Sequence, residues 1–168
     1  MRHSPKAVAN YFLKKAWKEK FSLTPIQVIK LVYIAHGWTL AVLGDSLIHD
    51  EVEAWQYGPV IPALYREFKS FGNKPIDKLA KSRLREDEVY VEAIAEFSEK
   101  EKEIMDAVWD KYGNWKGFQL SDLTHKKGTP WDIAYNKNNG PGKTRIVISK
   151  DLIKKHYSKL AEAENANG

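Results

Sequence analysis

The chain offers few groupings of residues that could do chemistry, and each lacks a necessary partner. Its five histidines are His3, His36, His49, His125 and His156. No two stand at the spacing that places a pair of metal ligands on one helix face, and no His-Glu-x-x-His occurs. Asp45, His49, Asp50 and Glu51 cluster in sequence and have cation-ligand chemistry. Turns select Asp for their own backbone bonds, so a polar turn is the favoured reading. Thr124-His125 sets a nucleophile type beside a base type, but adjacent residues on a helix do not face each other. Gly140-Pro141-Gly142-Lys143-Thr144 looks superficially like a phosphate loop. It lacks the Walker spacing and a preceding strand that opens onto a helix. No Gly-x-Ser-x-Gly is present. The chain has no cysteine, which excludes disulfides, thiol catalysis and Cys-ligated zinc or iron–sulfur sites. We therefore expect no enzymatic centre, no metal and no cofactor.

Binding chemistry is better represented. Six Trp, eight Tyr and six Phe in 168 residues are more rings than one small core needs. The net charge of +5 permits nucleic acid or an acidic protein as partner and demands neither, because 22 acidic residues accompany 27 basic ones. A base-reading helix should carry Arg, Asn or Gln aimed at base edges, and no helix in this chain has that composition. Nucleic-acid binding is accordingly the alternative, expected to be weak and salt-dependent. No apolar run reaches the roughly 20 residues of a membrane span, and the N-terminus lacks the apolar centre of a signal peptide, so a cytoplasmic location is expected.

The elements that must position these residues are mostly helical. Ser4-Pro5 and Thr24-Pro25 are cap and first-turn pairs. The first helix carries Val8, Tyr11, Phe12 and Ala16 on one face. Lys14, Lys15, Lys18 and Lys20 crowd its end, where cations suit the helix dipole. The second helix, Thr24 to about Val42, is apolar on more than one face and should be the most buried; Gly44 should end it. Ser46 to His49 and Val52 to Tyr57 are expected to pair as a small hairpin around Asp50-Glu51. Residues 73–97 are the least patterned, with one short extended piece at Val89 to Val91. Ser98 and Glu101 form a capping box for a helix with Ile104, Met105, Val108 and Tyr112 on its apolar face. Leu120 and Leu123 mark a short helix, Thr129-Pro130 starts another, and Asn138 to Gly142 is a loop. Ile146 to Ile148 is expected to be extended, and Ser149 caps a last helix whose end frays from about residue 162. The fold class is mainly α: one compact helical domain over residues 1–168, with a small β-hairpin or strand element near residues 46–57.

One stretch stands apart from this helical pattern. Glu51 to Tyr57 reads as a strand. Gly58-Pro59 is expected to stop its ladder, because Pro59 has no N–H and Gly58 permits positive φ. From Val60 onward Ile61, Leu64, Tyr65 and Phe68 recur at helical spacing, with Pro62 in the first turn. Trp55, Tyr57 and Tyr65 sit close to the turn, and Arg66 follows. Trp, Tyr and Arg are the residue types that dominate interface hot spots. Trp55 is also a natural core residue.

Glu53-Ala54-Trp55, Tyr57-Gly58-Pro59-Val60 and Tyr65 resemble the central signature of the Panacea, or SocA-like, antitoxin domain. The resemblance extends upstream to Lys30-Leu31, Tyr33, Ala35 and Gly37-Trp38, and downstream to Leu123-Thr124-His125 and Pro130-Trp131. It covers about Thr24 to Tyr157. Ile29 departs from it, since the family often has a polar residue before the Lys-Leu pair. The resemblance implies an antitoxin that binds and neutralises a cognate protein toxin. It leaves open delivery of the toxin to a protease, self-association, and use by a phage against a host defence toxin. Trp55, Tyr57, Pro59, Tyr65, Arg66 and Trp131 are the expected toxin-binding residues.

Overall fold

The computed structural model describes residues 2–84, 88–137 and 145–168. Its frame is set by α2 (Pro25–Leu43), which carries a single Lys and otherwise apolar or small residues along most of its length. Val28, Leu31, Val32, Tyr33, Ile34 and Ala35 are all essentially inaccessible. By length and composition α2 could cross a membrane, contrary to the reading that no apolar run approaches that length. In this fold its apolar surface is covered by protein instead, by α1 (Pro5–Lys18), α4 (Glu99–Tyr112), α5 (Gly117–His125) and α7 (Lys150–Asn167). The α2–α7 approach is close: a Cβ on Gly37 would lie 2.3 Å from the Tyr157 ring. Only glycine fits there.

The helix ends follow the sequence signals. Thr24 N–H donates to Gln27 Oε1 (2.8 Å), closing the start of α2. Gly44, at φ 74°, closes its end and donates to Leu40 O. Ser98 and Glu101 exchange bonds as a capping box at the start of α4. Glu101 does more: it also meets His3 Nε2 at 3.0 Å, joining the N-terminal strap to α4 inside the protein. The segment expected to fray continues as α7 to Asn167, with Lys111 donating to Glu164 (2.9 Å).

The small β element lies where expected, but its pairing differs. β1 (Val52–Trp55) pairs antiparallel with β2 (Gly58–Val60) on one side and with β5 (Val147–Ile148) on the other. Ser46 to His49 is not its partner. Leu47 and Ile48 are both fully buried in succession, which a half-buried strand cannot provide. That segment runs beside His3 instead: His3 N–H donates to Leu47 O (2.8 Å) and His49 N–H to His3 O (3.0 Å). Gly58-Pro59 does not stop the ladder either. Ala54 N–H points towards β5, where it donates to Ile146 O (2.8 Å). Ala54 and Pro59 are thus opposite each other without exchanging hydrogen bonds, and the missing Pro59 N–H costs the ladder nothing.

α3 (Pro62–Phe68) starts at Pro62 as read and runs into a 3₁₀ turn over Lys69–Phe71. A second hairpin, β3 (Lys81–Leu84) with β4 (Val89–Glu92), includes the expected extended piece and a strand that its basic, unpatterned sequence concealed. It is anchored by Asn10 on α1, whose side chain bonds Ala80 N–H, Ala80 O and Ala93 O. α6 (Pro130–Lys137) completes the described elements. The residue 138–142 loop and the phosphate-loop-like residues 140–144 lie outside the described residues.

His36 on α2 is buried, and its Nδ1 meets no hydrogen-bond partner. Burial, reinforced by Lys150, pulls its pKa down to about 4. The unfolded chain takes up that proton near pH 6.5. Stability from a neutral His36 is complete above that pH and is lost as pH falls towards about 4. Denaturant titrations across this window should show up to about 3 kcal/mol lost in the wild type. His36→Gln should flatten that slope.

Candidate functional site

The corner between β1 and α3 is held by bonds that come from outside the sheet. Gln56 and Tyr57 link Trp55 to its partner Gly58. The positive φ of the turn, 123°, falls on Gly58. Three alternate carbonyls along the hairpin then accept hydrogen bonds from three different helices. Trp131 Nε1 on α6 donates to Trp55 O at 2.6 Å. Ser121 Oγ on α5 donates to Tyr57 O at 3.0 Å. Lys30 Nζ on α2 donates to Pro59 O at 2.8 Å. Gly58 is required by φ, and a Cβ there would also crowd Lys30 Nζ, 2.8 Å away.

Behind the hairpin, the His125 ring packs edge-on to Trp131, which stacks on Tyr135 with centroids 4.8 Å apart. His125 Nδ1–H donates to Ser121 O. Thr124 Oγ1 donates back to Leu120 O (2.9 Å). Thr124 and His125 are therefore each committed to their own helix rather than to each other.

In front of the hairpin lies a groove of about 460 Å³ between the first turns of α2, the hairpin, α3 and the 3₁₀ turn. Pro25, Ile26, Ile29 and Val60 give it apolar walls, and Trp55, Tyr57 and Tyr65 give it rings. Trp55 and Tyr65 meet edge to face at 4.9 Å. Trp55 Nε1 donates to Glu53 Oε1 (3.2 Å), and Arg145 Nε donates to the other oxygen of Glu53 (3.3 Å). Lys30 and Lys69 are the charged residues that line the groove; among the described residues no carboxylate does. Lys30 is only 2% exposed, and burial pulls its pKa from 10.5 to about 7.

The structure sorts the six expected residues into two groups. Tyr57, 72% exposed, and Tyr65, 43% exposed, present their rings to solvent, and Arg66 is exposed beside them. Trp55 is half-buried and shares the groove with both tyrosines. Pro59 and Trp131 are buried: they position the corner and offer no contact surface. Tyr57 also lies in the turn beyond the end of β1, so strand alternation does not set its direction. Sequence reasoning gave no role to Ser121 and left Lys30 as one letter of a resemblance. The signal for Lys30 was present: it is the one Lys, Arg, Asp or Glu in the 19 residues of α2. The other polar cluster is accounted for by ion pairs, Arg2 with Asp45, His49 with Asp50 and Arg145 with Glu51.

The chain is thus a helical body that grips one short hairpin from three helices and leaves Tyr57 at its tip in solvent. The model of the antitoxin SocA-like family, Panacea domain, matches residues 28–132, and the chain belongs to that family. All three helices' donors to the hairpin, Lys30, Ser121 and Trp131, fall inside the match. Antitoxin SocA of Caulobacter vibrioides (strain NA1000 / CB15N) is 32% identical over 137 residues, spanning 82% of this chain and 71% of that protein. No solved structure matches.

Because each bond from a helix satisfies a hairpin carbonyl, its removal should loosen the corner. Trp131→Phe removes the donor and leaves a smaller aromatic ring in its place; we expect a loss of about 1–3 kcal/mol in urea unfolding. Ser121→Ala should lose about 1 kcal/mol. Hydrogen exchange should quicken at residues 52–60 in both variants, with α1 unaffected.

Proposed function

We propose that this chain is an antitoxin that neutralises a cognate protein toxin by binding it directly, and that the hairpin corner is part of the binding surface. Family membership supports the antitoxin role. The single observation that carries the surface is the exposure of Tyr57 at the tip of a hairpin whose carbonyls are bonded to three helices. A large ring on a pre-ordered turn loses little conformational freedom on binding. The residue types around it, Trp55, Tyr65 and Arg66, are those that dominate interface energetics. Arg66 and Lys69 add positive charge at the edge, which suits an acidic toxin surface. A cytoplasmic location follows from this reading.

Tyr57→Ala and Arg66→Glu separate binding from folding. Each should weaken toxin binding by about thirtyfold, the loss of roughly 2 kcal/mol typical of a hot spot. Each should also reduce rescue in a growth assay with the toxin co-expressed. Melting temperatures should stay within about 2 °C of wild type, since neither side chain has core contacts to lose. Normal neutralisation by both variants would place the interface elsewhere on the protein.

A further inference from the structure

Lys30 is over-equipped for what it does in the free chain. Protonated, its Nζ has three N–H donors, and the bond it makes to the described residues is the one to Pro59 O. It is buried, and among the described residues no carboxylate lines its groove. A buried charge normally acquires a partner or is replaced by an apolar side chain. Here it lines a groove whose other walls are apolar and aromatic and whose second charged residue, Lys69, has the same sign. The hairpin backbone comes close to Lys30 at Gly58, where a Cβ would lie 2.8 Å from Nζ.

We propose that the groove receives a segment of the toxin in which a carboxylate stands beside an apolar side chain. The carboxylate meets Lys30 Nζ, and the apolar side chain packs between Ile26, Ile29, Trp55 and Tyr65. This rests on the antitoxin reading and names the chemistry of the partner for the same corner. Charge complementarity selects the occupant: a cationic segment would face two lysines, and a purely apolar one would seal Lys30 away still unpaired. The Pro59 bond holds Lys30 Nζ in place before the toxin arrives, so little ordering is left for the binding step.

A proton accompanies such binding. In the free chain Lys30 has a pKa of about 7, so at pH 8 it is mostly neutral. A carboxylate beside it favours the charged form. The other ionisable groups facing it are Lys69, Tyr57 and Tyr65 along the groove and His125 behind Gly58.

The test is calorimetric titration of the full chain with its purified cognate toxin, at pH 8, in Tris and in phosphate. The two buffers differ in ionisation enthalpy, so the difference in heat counts protons. We expect uptake of about one proton on wild-type binding. One Asp or Glu to amide substitution in the toxin should abolish that uptake. Lys30→Met should abolish it too and weaken binding about thirtyfold or more. Since Lys30→Met also leaves Pro59 O unpaired, the wild-type chain against the toxin variants decides if that variant does not fold. Tight wild-type binding without proton uptake, unchanged by every toxin substitution, overturns the carboxylate inference and leaves the antitoxin reading standing. Failure of the wild-type chain to bind the toxin overturns both.

Discussion

The structure depends on one constraint: α2 is apolar almost all round and must be covered on every side. No single partner can do that. α7 lies closest, against Gly37, where the lack of a side chain admits Tyr157. α1, α4 and α5 take the remaining faces. The other elements are short because they complete this cover. The β-hairpin belongs to it too, through Val52 and Ala54, which point into the same core as the helices.

Covering α2 buries polar groups that must then be satisfied. His3 and Glu101 meet each other, and Asn10 bonds the backbone at Ala80 and Ala93. Lys30 reaches the Pro59 carbonyl. Each of these links joins segments distant in sequence, so each also fixes tertiary arrangement. His36 is the counter-example: its Nδ1 goes unpaired, and burial, with Lys150 nearby, keeps the imidazole neutral.

The hairpin is where the two demands meet. A two-residue turn carrying a proline strand would be a weak element alone. Bonds from α2, α5 and α6 to carbonyls 59, 57 and 55 make it an extension of the helical body. The inner side of the turn is therefore fixed by packing, while Gln56 and Tyr57 are exposed on its outer side. That division would let the exposed residues change without altering the frame.

The sequence alone determined what depends on near neighbours. Ser4-Pro5, Thr24-Pro25, Gly44, Ser98 with Glu101, and Ser149 fix helix ends through backbone bonds within a few residues, and those ends lie where they were read. The apolar continuity of α2 announced the core helix, and Ala-Trp-x-Tyr-Gly-Pro-Val announced the family. Tertiary structure decided everything that rests on contacts across the chain. Ser46 to His49 looked like a strand partner, but β1 found β5 almost 100 residues later, because Leu47 and Ile48 were both needed inside. Pro59 looked like a ladder breaker, but its register opposite Ala54 required no N–H. Trp131 looked like a contact residue and proved to be a buried donor to the hairpin. Lys30 looked like one residue of a core helix; only the fold set its ammonium against a carbonyl 29 residues away, at the floor of an apolar groove. Local sequence cannot encode such pairings, since which buried donor meets which distant acceptor is fixed only when the helices dock.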